Sequence, residues 1–147
     1  MTRKIGIVTT ARSEYGIYRP LLQKLAEKTE LSFGLFVGGA HLSAKHGNTI
    51  EEIEAEGWPI LSRMIVPEAS ETPEEMAIAM GQGTVAMASA LAQTRPDILV
   101  VLGDRFEMHA AALAAMPYAI PIAHIHGGEL SLGALDDAFR HSLTKLS

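Results

Sequence analysis

Residues 95–107, RPDILVVLGDRFE, and residues 120–129, IPIAHIHGGE, decide the fold of this chain. The first contains the apolar run Ile98–Leu102 and the second the run at residues 120–123. Each lies close to a proline, is short enough for a strand, and gives way to glycine and ionisable groups. Residues 106–116 between them have the alanine content and length of a helix. Strand, helix, strand is the crossover unit of a parallel sheet. Ligands of such sheets bind beyond the carboxyl ends of the strands. Asp104, Arg105, Glu107, His124, His126 and Glu129 fall there.

The rest of the chain repeats the alternation. Residues 4–9 (KIGIVT) read as a first strand buried on both faces. A polar loop with Arg12 and Glu14 follows, then a helix capped by Ser13, with Leu21, Leu22, Leu25 and Ala26 at helical spacing. Pro20 predicts a kink or a later start. Residues 31–37 form the second strand and open into a loop carrying His41 and His46. Residues 49–56 read as a short acidic helix with Thr49 and Glu52 at capping-box spacing. Residues 58–66 supply a third strand and residues 66–75 a polar, proline-containing loop. Thr72-Pro73-Glu74-Glu75 is a helix start, and residues 76–93 continue it with a stripe of methionines assigned to core packing. Gly81 and Gly83 inside that helix each cost roughly 1 kcal/mol against alanine, which points to close packing at both. A final helix at residues 135–147 begins with Asp136 and Asp137 and carries Arg140 and His141 one turn on. Five strands alternating with helices give an α/β class, a Rossmann-like parallel sheet with helices on both faces.

Bulk properties exclude several functions. A length of 147 residues is one domain, and its 48% apolar and 20% charged composition is that of a soluble globular protein. A net charge of −5 without a basic block argues against nucleic acid as a partner. No segment is long and apolar enough to span a membrane. The absence of cysteine removes thiol and disulfide chemistry and suits a cytoplasmic location.

The polar groups have two readings each. Asp104 is either a helix cap or a reactive carboxylate; Arg105 either neutralises it or binds ligand. His124 and His126, two apart on one strand, share a face. They are either hydrogen-bonded core imidazoles or an acid–base or metal pair with Asp104 or Glu129. The spacing alone is unspecific for metal, and none is expected. Gly127 and Gly128 are either a bare turn or a place where a diphosphate meets backbone amides. Arg12, His41, Asp104 and His126 each follow a different strand, so a parallel sheet brings them to one rim. That set suits an anionic, hydroxylated ligand such as a nucleotide sugar.

Taken in order, TTARSEYG, VGGAHLS, PDILVVLGDRFE, IPIAHIHGGE and DDAFRHSLTKLS resemble the N-terminal half of the hydrolysing UDP-N-acetylglucosamine 2-epimerases of sialic acid biosynthesis, the NeuC type. The resemblance covers essentially the whole chain. A dinucleotide-binding glycine fingerprint is absent after the first strand, which argues against NAD.

The resemblance implies residues 1–147 to be the N-terminal domain of a two-domain GT-B fold, with the second, nucleotide-binding domain missing from this chain. Family chains are more than twice as long, so a truncated and nearly inactive fragment is expected. It implies conversion of UDP-GlcNAc and water to N-acetylmannosamine and UDP through a 2-acetamidoglucal, without metal or nicotinamide, by a homodimer or tetramer. Asp104 and Asp136 resemble the family's catalytic carboxylates. At position 126 some relatives carry a carboxylate, so His126 or Glu129 takes that proton-transfer role. Arg12, His41, Arg105, Gly127, Gly128 and His141 resemble substrate-contacting positions. A 2-epimerase acting on UDP-N,N′-diacetylbacillosamine fits the same motifs, and a non-catalytic nucleotide-sugar-binding module is the reading from another class.

Overall fold

The computed structural model describes residues 2–66 and 72–147. Among these residues the strands β1 (Arg3–Thr9), β2 (Leu31–Gly38), β3 (Ile60–Met64), β4 (Ile98–Leu102) and β5 (Ile122–Ile125) form one sheet in the order β3-β2-β1-β4-β5. Every neighbouring pair is parallel. The helices α1 (Arg12–Ala26), α2 (Ile50–Ala55), α3 (Pro73–Gln93), α4 (Phe106–Ala115) and α5 (Leu135–Leu146) alternate with the strands. The chain runs outward from β1 to β3, and α3 then carries it back across the sheet to β4 and β5. Strand order therefore reverses between β1 and β4, the switch point where doubly wound sheets leave a crevice.

The two-residue period of the strands sorts their side chains to opposite faces. Val8, Phe36, Leu99 and Val101 pack with Met87 and Leu91 of α3, Met108 of α4 and Leu143 of α5. Ile7, Leu35, Val37, Val100 and Leu102 pack with Tyr15, Tyr18 and Leu22 of α1 and Ile53 of α2. Strands covered on both faces must be apolar at nearly every position, as these are. Burial of each large side chain contributes roughly 1.5–3 kcal/mol.

Several local expectations are corrected. β5 begins two residues later than the apolar run. A 3-10 turn at Met116–Tyr118 and left-handed Ala119 come first, and Pro121 offers only its carbonyl, to Leu99 N–H at 2.9 Å. The strand ends at Ile125, so His126 lies beyond it with φ of 59° and does not share a strand face with His124. α1 starts at Arg12, not after a Ser13 cap. The cap position is Ala11, and the Glu14 carboxylate reaches back to the N–H groups of Thr10 at 2.7 Å and Ala11 at 3.1 Å. Pro20 sits within α1 without ending it. Thr49 makes no cap bond, because its hydroxyl pairs with His41 Nδ1 at 2.7 Å. α3 starts where Thr72-Pro73-Glu74-Glu75 predicts, and Thr72 and Glu75 close a capping box there. Residues 67–71 of the polar loop before α3 lie outside the described residues. Of the two helix glycines, only Gly83 packs closely: a Cβ there would lie 3.3 Å from that of Ala110, whereas Gly81 faces open space.

Glycine is required elsewhere by the sheet itself. Gly6 stands opposite Gly34 in the β1–β2 register, and a Cβ on Gly6 would come within 2.6 Å of the Phe36 ring. Gly6→Ala is therefore expected to lower stability by about 1–3 kcal/mol through overpacking. Gly81→Ala should raise it by about 0.5–1 kcal/mol, because the folded helix has room and the unfolded chain loses freedom. Urea midpoints of the two variants, at unchanged slope, check both signs.

Candidate functional site

The carboxyl rim of the sheet holds two polar clusters and a cavity. β4 leaves the sheet through Gly103, whose φ of +78° no other residue adopts easily, and this turn presents Asp104. On α5, Arg140 and Leu143 are three apart and share the inward face. Leu143 is fully buried in the core and Arg140 is only 8% exposed. A guanidinium so far from water needs partners; the two terminal nitrogens of Arg140 have them, whereas its buried Nε has none. Nη2 donates to Asp104 in a short ion pair and to Ser131 Oγ at 3.2 Å. Nη1 donates to the His126 carbonyl at 3.0 Å and to Glu129 Oε2 at 3.2 Å. The other Glu129 oxygen accepts from His126 Nδ1 at 2.8 Å. That hydrogen bond, with Arg140 beside it, holds the Glu129 carboxyl below its usual range. Left-handed His126 is thus fixed at both its carbonyl and its ring. One arginine gathers Asp104, His126 and Glu129.

His124 belongs to the support of this cluster. Its Nε2 donates to the Gly103 carbonyl at 2.7 Å, which leaves Nδ1 to accept from the Thr144 hydroxyl at 3.1 Å. Thr144 in turn accepts the Gly128 N–H at 3.1 Å. A Cβ on Gly127 would lie 2.8 Å from the His124 ring, so this glycine makes room for the imidazole. Gly128 takes φ of +76° to complete the turn.

The second cluster centres on Arg105, the residue before α4. Its guanidinium clasps Glu107 at 2.8 and 3.2 Å and lies 3.5 Å from Glu14 Oε1. Hydrogen bonding to Glu107 raises its pKa, with Glu14 and Asp136 adding to the effect. Asp136 is exposed in the first turn of α5. Glu14 is 3% exposed, and burial pushes its carboxyl up against the opposing pull of the Thr10 N–H and Arg105. Beside Arg105 a cavity of about 500 Å³ opens, touched by Thr10 after β1, Gly39 after β2 and Met64 at the end of β3.

The remaining predicted residues are placed differently. Arg12 is exposed and paired with Glu52 at 3.0 Å. His141 is half-exposed, its Nε2 3.5 Å from Asp137. His41, expected as a ligand contact, is fully buried between the hydroxyls of Thr9 (2.9 Å) and Thr49 (2.7 Å) and against the edge of Tyr15. Arg140 and Glu14 were absent from the expected set. The signal for Arg140 is its spacing from Leu143 on an amphipathic helix, which puts a cation on the buried face. Among the described residues, no three His, Asp or Glu side chains form a metal-binding group, and no helix is long and apolar enough to cross a membrane.

Burial lowers the His41 pKa from 6.5 to about 4. The unfolded chain therefore takes up this proton first, and the stability His41 contributes is complete above about pH 6.5 and lost as the pH falls toward 4. An NMR titration should show the His41 ring with a midpoint of about 4, and His41→Asn should flatten part of the acid-side loss of stability. A midpoint at the ordinary 6.5 would mean that the ring is solvated.

Residues 23–147 match the family model described as UDP-N-acetylglucosamine 2-epimerase. The whole chain aligns at 40% identity with 39% of the UDP-N,N′-diacetylbacillosamine 2-epimerase (hydrolyzing) of Legionella pneumophila. It aligns over 99% of its length, at 37% identity, with 38% of the GDP/UDP-N,N′-diacetylbacillosamine 2-epimerase (hydrolyzing) of Campylobacter jejuni. The fold superposes with a TM-score of 0.82, at 18% identity, on 38% of the crystal structure of UDP-GlcNAc 2-epimerase from Neisseria meningitidis bound to UDP-GlcNAc, covering 98% of this chain. The fold is thus that of the N-terminal domain of a GT-B architecture. The chain spans less than two-fifths of the length of these proteins.

Proposed function

This chain belongs to the UDP-N-acetylglucosamine 2-epimerase family, and we propose that its rim forms one wall of the active site of a hydrolysing UDP-sugar 2-epimerase, completed by a C-terminal nucleotide-binding domain. The observation that carries the reading is the Arg140 fork, which brings Asp104 and the Glu129–His126 pair together at the strand ends. Both are ionisable groups of the kind that move protons at a sugar carbon.

In the first half-reaction a base takes the proton at C2 while the C1–O bond breaks and UDP departs with the electron pair, leaving a C1=C2 double bond in a 2-acetamidoglucal. In the second, water gives its hydroxyl to C1 and C2 is protonated from the opposite face. The product is the 2-epimer of the free sugar, with UDP released. Asp104 and Asp136 serve as acid or base at the sugar. His126 transfers a proton through Nε2, since Glu129 occupies Nδ1. Arg140 orients Asp104 and Glu129 without touching the sugar. Arg12, Arg105, Gly127, Gly128 and His141 remain the ligand-facing positions of the proposal, and His41 braces the loop behind them.

Two relatives named for nucleotide-linked N,N′-diacetylbacillosamine, one UDP-linked at 40% identity and one GDP/UDP-linked at 37%, favour that sugar over N-acetylglucosamine. Incubation of the two-domain protein with each UDP-sugar, followed by UDP release, tests the assignment. Asp104→Asn is expected to cut turnover by at least about 100-fold, the lower end for a lost acid–base partner. Near-normal release would remove Asp104 from the chemistry. The 147-residue chain alone is expected to release essentially no UDP, because orientation across the cleft supplies the rate.

A further inference from the structure

The proton transfers proposed above leave unused the only buried carboxylate among the described residues, that of Glu14. A carboxylate that does no more than cap a helix can do so from the surface, where it keeps its water. Enclosure is costly unless both oxygens are matched. Those of Glu14 are. Oε2 accepts the N–H groups of Thr10 and Ala11. The Thr10 hydroxyl donates to Oε1 at 3.2 Å and to Oε2 at 3.1 Å, and Oε1 lies 3.5 Å from Arg105 Nε.

These contacts join segments that are far apart in the chain. Thr10 leaves β1 and Arg105 follows β4, the two strands between which the order reverses. The Thr10 carbonyl in turn accepts the Ala40 N–H at 2.8 Å, from the turn after β2. That turn lies so close that a Cβ on Gly39 would come within 2.7 Å of the same carbonyl oxygen. Thr10, Gly39, Ala40 and Arg105 all line the cavity. Glu107 also holds Arg105, but from two residues along the same segment. Its clasp sets the shape of the arginine side chain and not its distance from β1. Glu14 fixes that distance. Resting on the 2-epimerase reading above, we propose that Glu14 is a positioning residue, whose enclosed carboxylate locks the turn after β1 to the turn after β4 and so holds Arg105 in place on the cavity wall. It moves no proton and meets no substrate.

The test is a double-mutant cycle on kcat/KM for UDP release from UDP-N,N′-diacetylbacillosamine by the two-domain protein, assayed well below the melting temperature of each variant. Glu14→Gln keeps an oxygen for the two N–H groups and turns an uncharged amide toward Arg105. Glu14→Asp keeps the charge at the start of α1 and, one methylene shorter, draws back from Arg105; it carries the test if the amide variant does not fold. Each should lower kcat/KM by about 10–100-fold, as a small misplacement at a reacting site does. In an Arg105→Gln background the same substitutions should cost no more than about 2-fold, because the group they position is gone. A carboxylate that only caps its helix gives equal losses with and without Arg105, and that result overturns the proposal. Parental rates in Glu14→Asp or in Arg105→Gln overturn it too. A parent that releases UDP from neither this sugar nucleotide nor UDP-GlcNAc brings down the 2-epimerase reading and this role with it, whereas equal losses bring down the role alone.

Discussion

A guanidinium held away from water is the constraint on which the rim depends. Moving an arginine out of solvent costs several kcal/mol unless its fork is saturated. Arg140 meets this at its two terminal nitrogens, Nε having no partner, and not through Asp136 or Asp137 of its own helix. Its partners arrive from the end of β4, from the turn after β5 and from the loop before α5. Folding α5 onto the sheet therefore requires those loops to close in one arrangement. The same requirement explains why a residue as unwilling as His126 is found in the left-handed region: its carbonyl and ring are claimed from two sides.

Much of the architecture was legible because it is written at short range. Doubly buried strands have no polar alternation, half of α4 is alanine, and Thr72-Pro73-Glu74-Glu75 carries its own start signal. These features agree with the final packing. The β5 start was misread because the apolar run continues through Ile120 and Pro121, while strand pairing is decided by amide geometry that hydropathy does not encode.

The site was legible in part. Strand ends meet on one rim by topology alone, so the placement of Asp104, Arg105, His126 and Glu129 followed from recognising parallel strands. What sequence did not disclose were contacts between distant residues. Thr49 looks like a cap and would be one in an isolated peptide, yet a histidine from the preceding loop takes its hydroxyl. Glu14 reads as part of a polar loop, yet it is enclosed and faces Arg105. His41 looked accessible in a glycine-rich loop and is sealed by two threonines. In each case a local propensity yields to a tertiary partner that no spacing rule reveals.

The enclosed Glu14 has one more consequence. In many strand–turn–helix units the first helix offers its bare amides and positive pole to a phosphate. Here the chain's own carboxylate already sits in that seat, on the N–H groups of Thr10 and Ala11. An incoming phosphoryl group would meet negative charge where such folds usually supply attraction. The amino end of α1 is therefore already occupied from within the chain and offers no open seat of that kind.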